Sequence, residues 1–145
     1  MNTAMKPPQI QPYLFFEGAC EEALEFYRQT VGAEILTRMR FQDSPVPTDC
    51  GPIPGDKIMH ASFRIGGSIV LASDGRCSGA AGFKGFALSL TVGTLAEADQ
   101  LFAALGVGGQ IQMPMGETFF SPGFGMLTDR FGVSWMVYVV PPTDA

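Results

Sequence analysis

Apolar residues recur along this chain with two spacings, and each predicts a kind of element. Two stretches carry the helical one. "EGACEEALEFYRQTVG" (17–32) puts Ala23, Phe26, Tyr27, Thr30 and Val31 on one face, and Gly32 suits a helix stop. "TLAEADQLFAALG" (94–106) opens with Thr94 and Glu97, the spacing at which a capping pair satisfies the first free N–H groups. It then stacks Ala98, Leu101, Phe102 and Leu105 on one face and ends at Gly106. Strand-like runs cover 10–16, 33–41, 57–65, 68–74, 85–92, 109–114, 125–129 and 133–140. The Pro/Gly-rich "DSPVPTDCGPIPGD" (43–56) predicts a long loop, and "DGRCSGAAGF" (74–83) reads as a connection between halves.

The halves repeat. Gly18–Phe26 lies over Gly93–Leu101 with an offset of 75, and "RIGGSIVL" (64–71) lies over "RFGVSWMV" (130–137) with an offset of 66. Each half then reads β-α-β-β-β within one domain: module one 9–74, linker 75–83, module two 84–140. The expected class is α+β, with two modules in tandem forming a curved mixed sheet, helices on its outer face and a concave cup on the other. Alternation assigns the faces. Leu88, Leu90 and Val92 oppose Ala87, Ser89 and Thr91; Trp135, Val137 and Val139 oppose Ser134, Met136 and Tyr138. The uniformly apolar faces take the helices. The mixed faces line a cup suited to a small molecule, unless they are solvated or meet another subunit.

Composition narrows the partners. The chain has 145 residues, 46% of them hydrophobic and 16% charged, with a formal charge of −5. That charge repels phosphate backbones and anionic bilayers, so neither nucleic acid nor membrane is expected as a partner. No apolar run approaches the ~18 residues that span a bilayer, and "MNTAMKPPQI" lacks the apolar core of a secretory signal. Cys20, Cys50 and Cys77 form no CxxC pair and read as reduced thiols, which points to a cytoplasmic protein.

"PYLFFEGACEEALEFY", "DKIMHASFRIGGSIVLASD" and "GETFFSPGFGMLTDRFGVSWMV" together resemble the PhnB-like branch of the vicinal oxygen chelate superfamily, over about residues 9–140. That superfamily includes glyoxalases, extradiol dioxygenases and bleomycin- and fosfomycin-resistance proteins. Some PhnB-like relatives carry a demethylubiquinone methyltransferase label. No strand here runs into a Gly-rich turn and helix able to cradle an adenosyl group, and "GVGG" (106–109) follows a helix instead, so no cofactor is expected. The resemblance also implies a homodimer.

Superfamily enzymes hold one divalent metal with four cup-facing side chains, from the first and last strand of each module. Gap-free alignment, checked by the offsets of 75 and 66, puts these at Pro12, Val70, Ala87 and Met136. Three have no donor atom, and the fourth offers a thioether where such metals take imidazole or carboxylate. No metal is therefore expected there. The candidate ligand-binding residues are His60, Ser89, Glu117, Phe119, Phe120, Met136 and Tyr138. His60 is the one histidine, and its direction depends on strand register. Glu117 and Asp74 are possible oxygen donors to a displaced metal. Arg38 and Arg40 are possible anion contacts or a solvated edge. Asp129 and Arg130 suit a turn closed by Gly132. Three readings follow: a metal-independent binder of a small apolar or aromatic molecule, a glyoxalase- or dioxygenase-type enzyme with a rearranged site at His60, and a structural or interaction protein without ligand.

Overall fold

The computed structural model describes residues 7–44, 53–75, 77 and 81–141. Most of the long loop, Cys50 and part of the linker lie outside the described residues. Module one runs β1 (Tyr13–Phe15), α1 (Cys20–Val31), β2 (Glu34–Arg40), β3 (Ile58–Ile65) and β4 (Ser68–Ser73), with a 3-10 turn at Phe41–Asp43. Module two runs β5 (Leu88–Val92), α2 (Leu95–Leu105), β6 (Gln110–Thr118), β7 (Ser121–Thr128) and β8 (Ser134–Val139). They form two four-stranded sheets of matching order, β1-β4-β3-β2 and β5-β8-β7-β6. In each, the first and last strands pair parallel and the others antiparallel.

The helices are where the apolar periodicity requires them. α1 buries Cys20, Ala23, Leu24, Phe26 and Tyr27, and Gly32 ends it in the left-handed conformation at φ 69°. α2 buries Ala98, Phe102 and Leu105, and Thr94 Oγ1 accepts from the Glu97 N–H. One side of each sheet packs on the helices. Tyr27 stacks on Phe63 of β3 at 5.7 Å and meets Trp135 of β8 edge-on at 5.6 Å, so a single apolar cluster runs through both modules.

Two buried carboxylates hold the chain ends of these elements. Ala19, the N-cap of α1, has no capping side chain. Asp74 supplies the cap from 54 residues away: its Oδ1 accepts from the N–H groups of Gly18 and Cys20 at 2.8 Å, and its Oδ2 from Ile58 at 2.7 Å. Asp129 closes the β7–β8 turn by accepting from the N–H groups of Phe131 and Val133. Its other oxygen takes Tyr27 Oη at 2.6 Å and Trp135 Nε1 at 2.9 Å.

The eight expected strands form, but four boundaries and the repeat register differ: β1 starts at 13 rather than 10 and β5 at 88 rather than 85. β6 continues through Pro114 to Thr118, and β7 starts at Ser121 rather than 125. Proline is tolerated because β6 is an edge strand, where one row of N–H groups has no ladder partner. Phe119 and Phe120 are therefore the tip of a hairpin. The repeat offsets also need correction. Leu14 stands opposite Ala72 as Leu90 stands opposite Val137, both pairs on the helix side, so the strands superpose at 90 − 14 = 76 and 137 − 72 = 65. Two loop-length differences cause the slip. Module one enters its helix through Glu17 and Gly18, both at positive φ. Its last hairpin pairs Ile65 with Ser68, whereas the second closes around Asp129.

Candidate functional site

Residues directly opposite in a sheet share a face, so strand register settles which side chains lie away from the helices. Val70 pairs with Phe63, which stacks on Tyr27, and is buried. It faces the helices, not the cup, contrary to the expected placement. Superposed with the corrected offsets, Gln11 and Leu71 correspond to Ala87 and Met136. One amide and one thioether are still the wrong donors for a site that wants imidazole and carboxylate. The described residues also contain no group of three His, Cys, Asp or Glu side chains able to hold a metal ion. The superfamily's usual divalent metal does not fit this donor set.

The open face of module two is built from rows across three or four strands. Met113, Met126 and Met136 pair in succession across β6, β7 and β8, and Met136 stands beside Ser89 of β5. The next row is Gly116, Phe124, Tyr138 and Thr91. The hairpin tip folds onto it. Phe120 lies nearly parallel to Tyr138 at 6.3 Å and edge-on to Phe124 and Phe119, each at 5.2 Å. Strict alternation keeps Phe124, Met126, Met136 and Tyr138 half-buried while their neighbours are buried against the helices. Phe119 is fully exposed. Met115 takes the other side: it packs on the apolar core, and a Cβ at Gly125 would lie 2.8 Å from its sulfur.

The open face of module one is more polar. His60 is half-exposed, and its Nδ1 bonds the Tyr13 hydroxyl at 2.9 Å. Tyr13 stacks on Phe15 at 4.9 Å, and Thr37 Oγ1 bonds Ser62 Oγ at 2.7 Å. The phenol is thus His60's observed partner, rather than the carboxylates required by a rearranged metal site.

The expected residues therefore divide. Phe119, Phe120, Met136, Tyr138 and Ser89 share the module-two wall. His60 belongs to the other sheet. Glu117 is exposed on the edge strand β6. Asp74 is a buried cap, not a free oxygen donor. Arg40 is held by Glu21 at 3.0 and 2.5 Å and by the Asp56 carbonyl, and Arg38 lies 3.6 Å from the same carboxylate. These contacts, the Arg40 hydrogen bond foremost, hold Glu21 below the usual carboxylate range. Phe124, which "ETFFSPGFG" groups with Phe119 and Phe120 as a possible apolar wall, joins them on the module-two sheet. Met113, Met126 and Tyr13 were missed, and the alternation of "SPGFGMLT" (121–128) carries the signal for Met126.

Two grooves lie elsewhere. One of about 900 Å³ runs between Gln9–Pro12, the Gly66–Gly67 turn and β5, with Leu101 and Trp135 in its lining. Of the candidate ligand-binding residues it contains Ser89 alone, with Pro12, Val70 and Ala87 of the four positions aligned to the metal site. Another of about 410 Å³, beside α1, is lined by Glu21, Glu22, Glu25, Lys57 and Arg130 among others. Among the described residues, no helix is long and apolar enough to cross a membrane.

Comparison with known proteins agrees with the fold. Residues 8–138 match the family described as 3-demethylubiquinone-9 3-methyltransferase. Protein YjdN of Escherichia coli (strain K12) is 40% identical over 139 residues, covering 90% of this chain and 95% of YjdN. Protein PA1353 from Pseudomonas aeruginosa is 45% identical with a TM-score of 0.82, covering 94% of this chain and all of that one. A PhnB protein from Bacillus cereus is 32% identical with a TM-score of 0.77, covering 92% and 100%. A glyoxylase/bleomycin resistance protein/dioxygenase domain from Frankia sp. EAN1pec shares the fold at 17% identity and a TM-score of 0.60. The chain belongs to the family described as 3-demethylubiquinone-9 3-methyltransferase, together with PhnB-like relatives, and it shares the fold of glyoxalase/bleomycin resistance/dioxygenase proteins.

Proposed function

We propose that this protein binds a small apolar or aromatic molecule on the open face of its module-two sheet, without the superfamily's divalent metal. The observation that carries this reading is the wall itself. Three methionines lie in one row, and Phe124, Tyr138 and Phe120 form the next. Methionine is flexible and polarizable and adapts to varied apolar ligands, and ring faces stack on planar ones. A homodimer is part of the proposal. Tyr13, Phe15, Met39, Met113 and Phe120 are all exposed on one chain, and apolar surface of this kind is ordinarily covered by a partner or ligand. A reducing, cytoplasmic setting accords with Cys20, a free thiol buried in the core.

The family description names a methyl transfer, which needs an adenosyl donor. The two helix N-termini that would receive such a group are closed by the chain's own side chains, Asp74 at α1 and Thr94 at α2. Gly106–Gly109 sits at the C-terminal end of α2. These residues do not fit the cofactor.

The Tyr13–His60 contact supports a second reading, in which the pair moves a proton on a bound molecule without a metal. Titration with 1-anilinonaphthalene-8-sulfonate before and after chelator treatment tests the binding proposal. Saturable binding unchanged by chelator is expected; loss on chelation and recovery with a divalent ion would overturn it.

A further inference from the structure

We propose that Met113, Met126 and Met136 form a site for a soft monovalent cation, Cu(I) above all. Met126 faces Met136 in the regular register of β7 and β8, and Met113 pairs with Met126 between two bulges of the edge strand β6, so the three stand in one row. Directly opposed residues are about 4.5–5.5 Å apart at Cα. The outer two therefore need to lean by only about one strand spacing to bring three sulfurs around one ion. Methionine has the rotatable bonds to do so. Thioethers are soft donors that select Cu(I) and leave hard divalent ions to oxygen and nitrogen. The same chemistry that denies this face the usual superfamily metal therefore favours a different one.

Access and charge agree with this assignment. Met113 is 44% exposed, whereas Met126 and Met136 are half-buried, so an ion enters from the open side and is partly shielded once bound. The chain's net charge of −5 favours the approach of a cation. A thioether carries no proton to lose, so affinity should be independent of pH where thiolate or imidazole sites are not.

The inference goes beyond organic-ligand binding but uses the same wall, so the experiment must separate them. A Cys50→Ser/Cys77→Ser protein removes two competing thiols; burial holds the third, Cys20, protonated. Anaerobic titration with Cu(I) against a colorimetric chelator should show one ion per chain, with equal affinity at about pH 5.5 and about pH 7.5. Adding Met113→Leu, Met126→Leu and Met136→Leu keeps the wall apolar and nearly isosteric. It should weaken Cu(I) by at least about tenfold, with a far-UV circular dichroism spectrum and thermal midpoint close to the parent's showing that the fold is intact. Undiminished Cu(I) binding by the leucine variant, or none by the parent, would overturn the site. Failure of the dye to bind the parent protein while Cu(I) binds it would count against the organic-ligand proposal alone.

Discussion

The phenol of Tyr27, on the first helix, donates a 2.6 Å hydrogen bond to Oδ2 of Asp129, which lies 102 residues further along in the last β-turn. The pair ties the two modules together at the point where their shared core is most aromatic. Both residues are buried, and Asp129 spends its remaining capacity on Trp135 and two turn N–H groups. Tyr27→Phe keeps the ring stack and removes only the hydroxyl. It should cost about 1.5–3 kcal/mol, the range for hydrogen bonds to charged groups, measured as a lower urea midpoint with unchanged slope. An unaltered midpoint would mean that the modules are held by apolar contact alone.

The same phenol predicts alkaline behaviour. Burial, and then the Asp129 carboxylate, push the Tyr27 pKa well above its ordinary value. A group whose folded pKa is raised gives stability that is whole below its unfolded pKa and is lost as pH rises towards the folded one. Unfolding free energy should therefore fall above about pH 10, and Tyr27→Phe should flatten that fall. Cys20, raised chiefly by burial, adds a similar loss beginning above about pH 8.5. Denaturant midpoints across this window check both.

Asp74→Ala should cost about 3 kcal/mol or more, because it strips the acceptor from three backbone N–H groups at once. Asp74→Asn should cost less, since one oxygen remains. Thermal unfolding separates these outcomes. Equal, negligible losses would show that α1 needs no cap from Asp74.

Much of this fold is legible in the residues. Helical periodicity located both helices because their apolar faces serve one core, and Gly32 and Thr94 act as the stop and cap that their chemistry suggests. The cup of module two was readable because Trp135, Val137 and Val139 are uniformly apolar, which leaves no doubt about the side facing the helices. Module one was not. "SIVLAS" (68–73) has apolar residues on both faces, so parity rested on the repeat, and Glu17 and the short Gly66–Gly67 turn shifted that repeat by one residue each way. The carboxylate contacts spanning 54 and 102 residues have no local signature. Nor does the methionine row, which exists only once three strands are in register.

Dimerisation is checked by light scattering on the eluting protein. Twice the 15.5 kDa chain mass is expected. Phe120→Asp, at the hairpin tip, should disturb the open face without touching the core, since Phe120 is exposed. A stable monomer at all concentrations would contradict this part of the account.

The most direct test labels the methionine methyl groups with carbon-13 and follows them as 1-anilinonaphthalene-8-sulfonate is added. The signals of Met113, Met126 and Met136 should move together and saturate, while Met115, on the opposite side of the same strand as Met113, stays in place. Saturable binding that leaves all three still, or that moves Met115 instead, would place the ligand elsewhere and contradict the account.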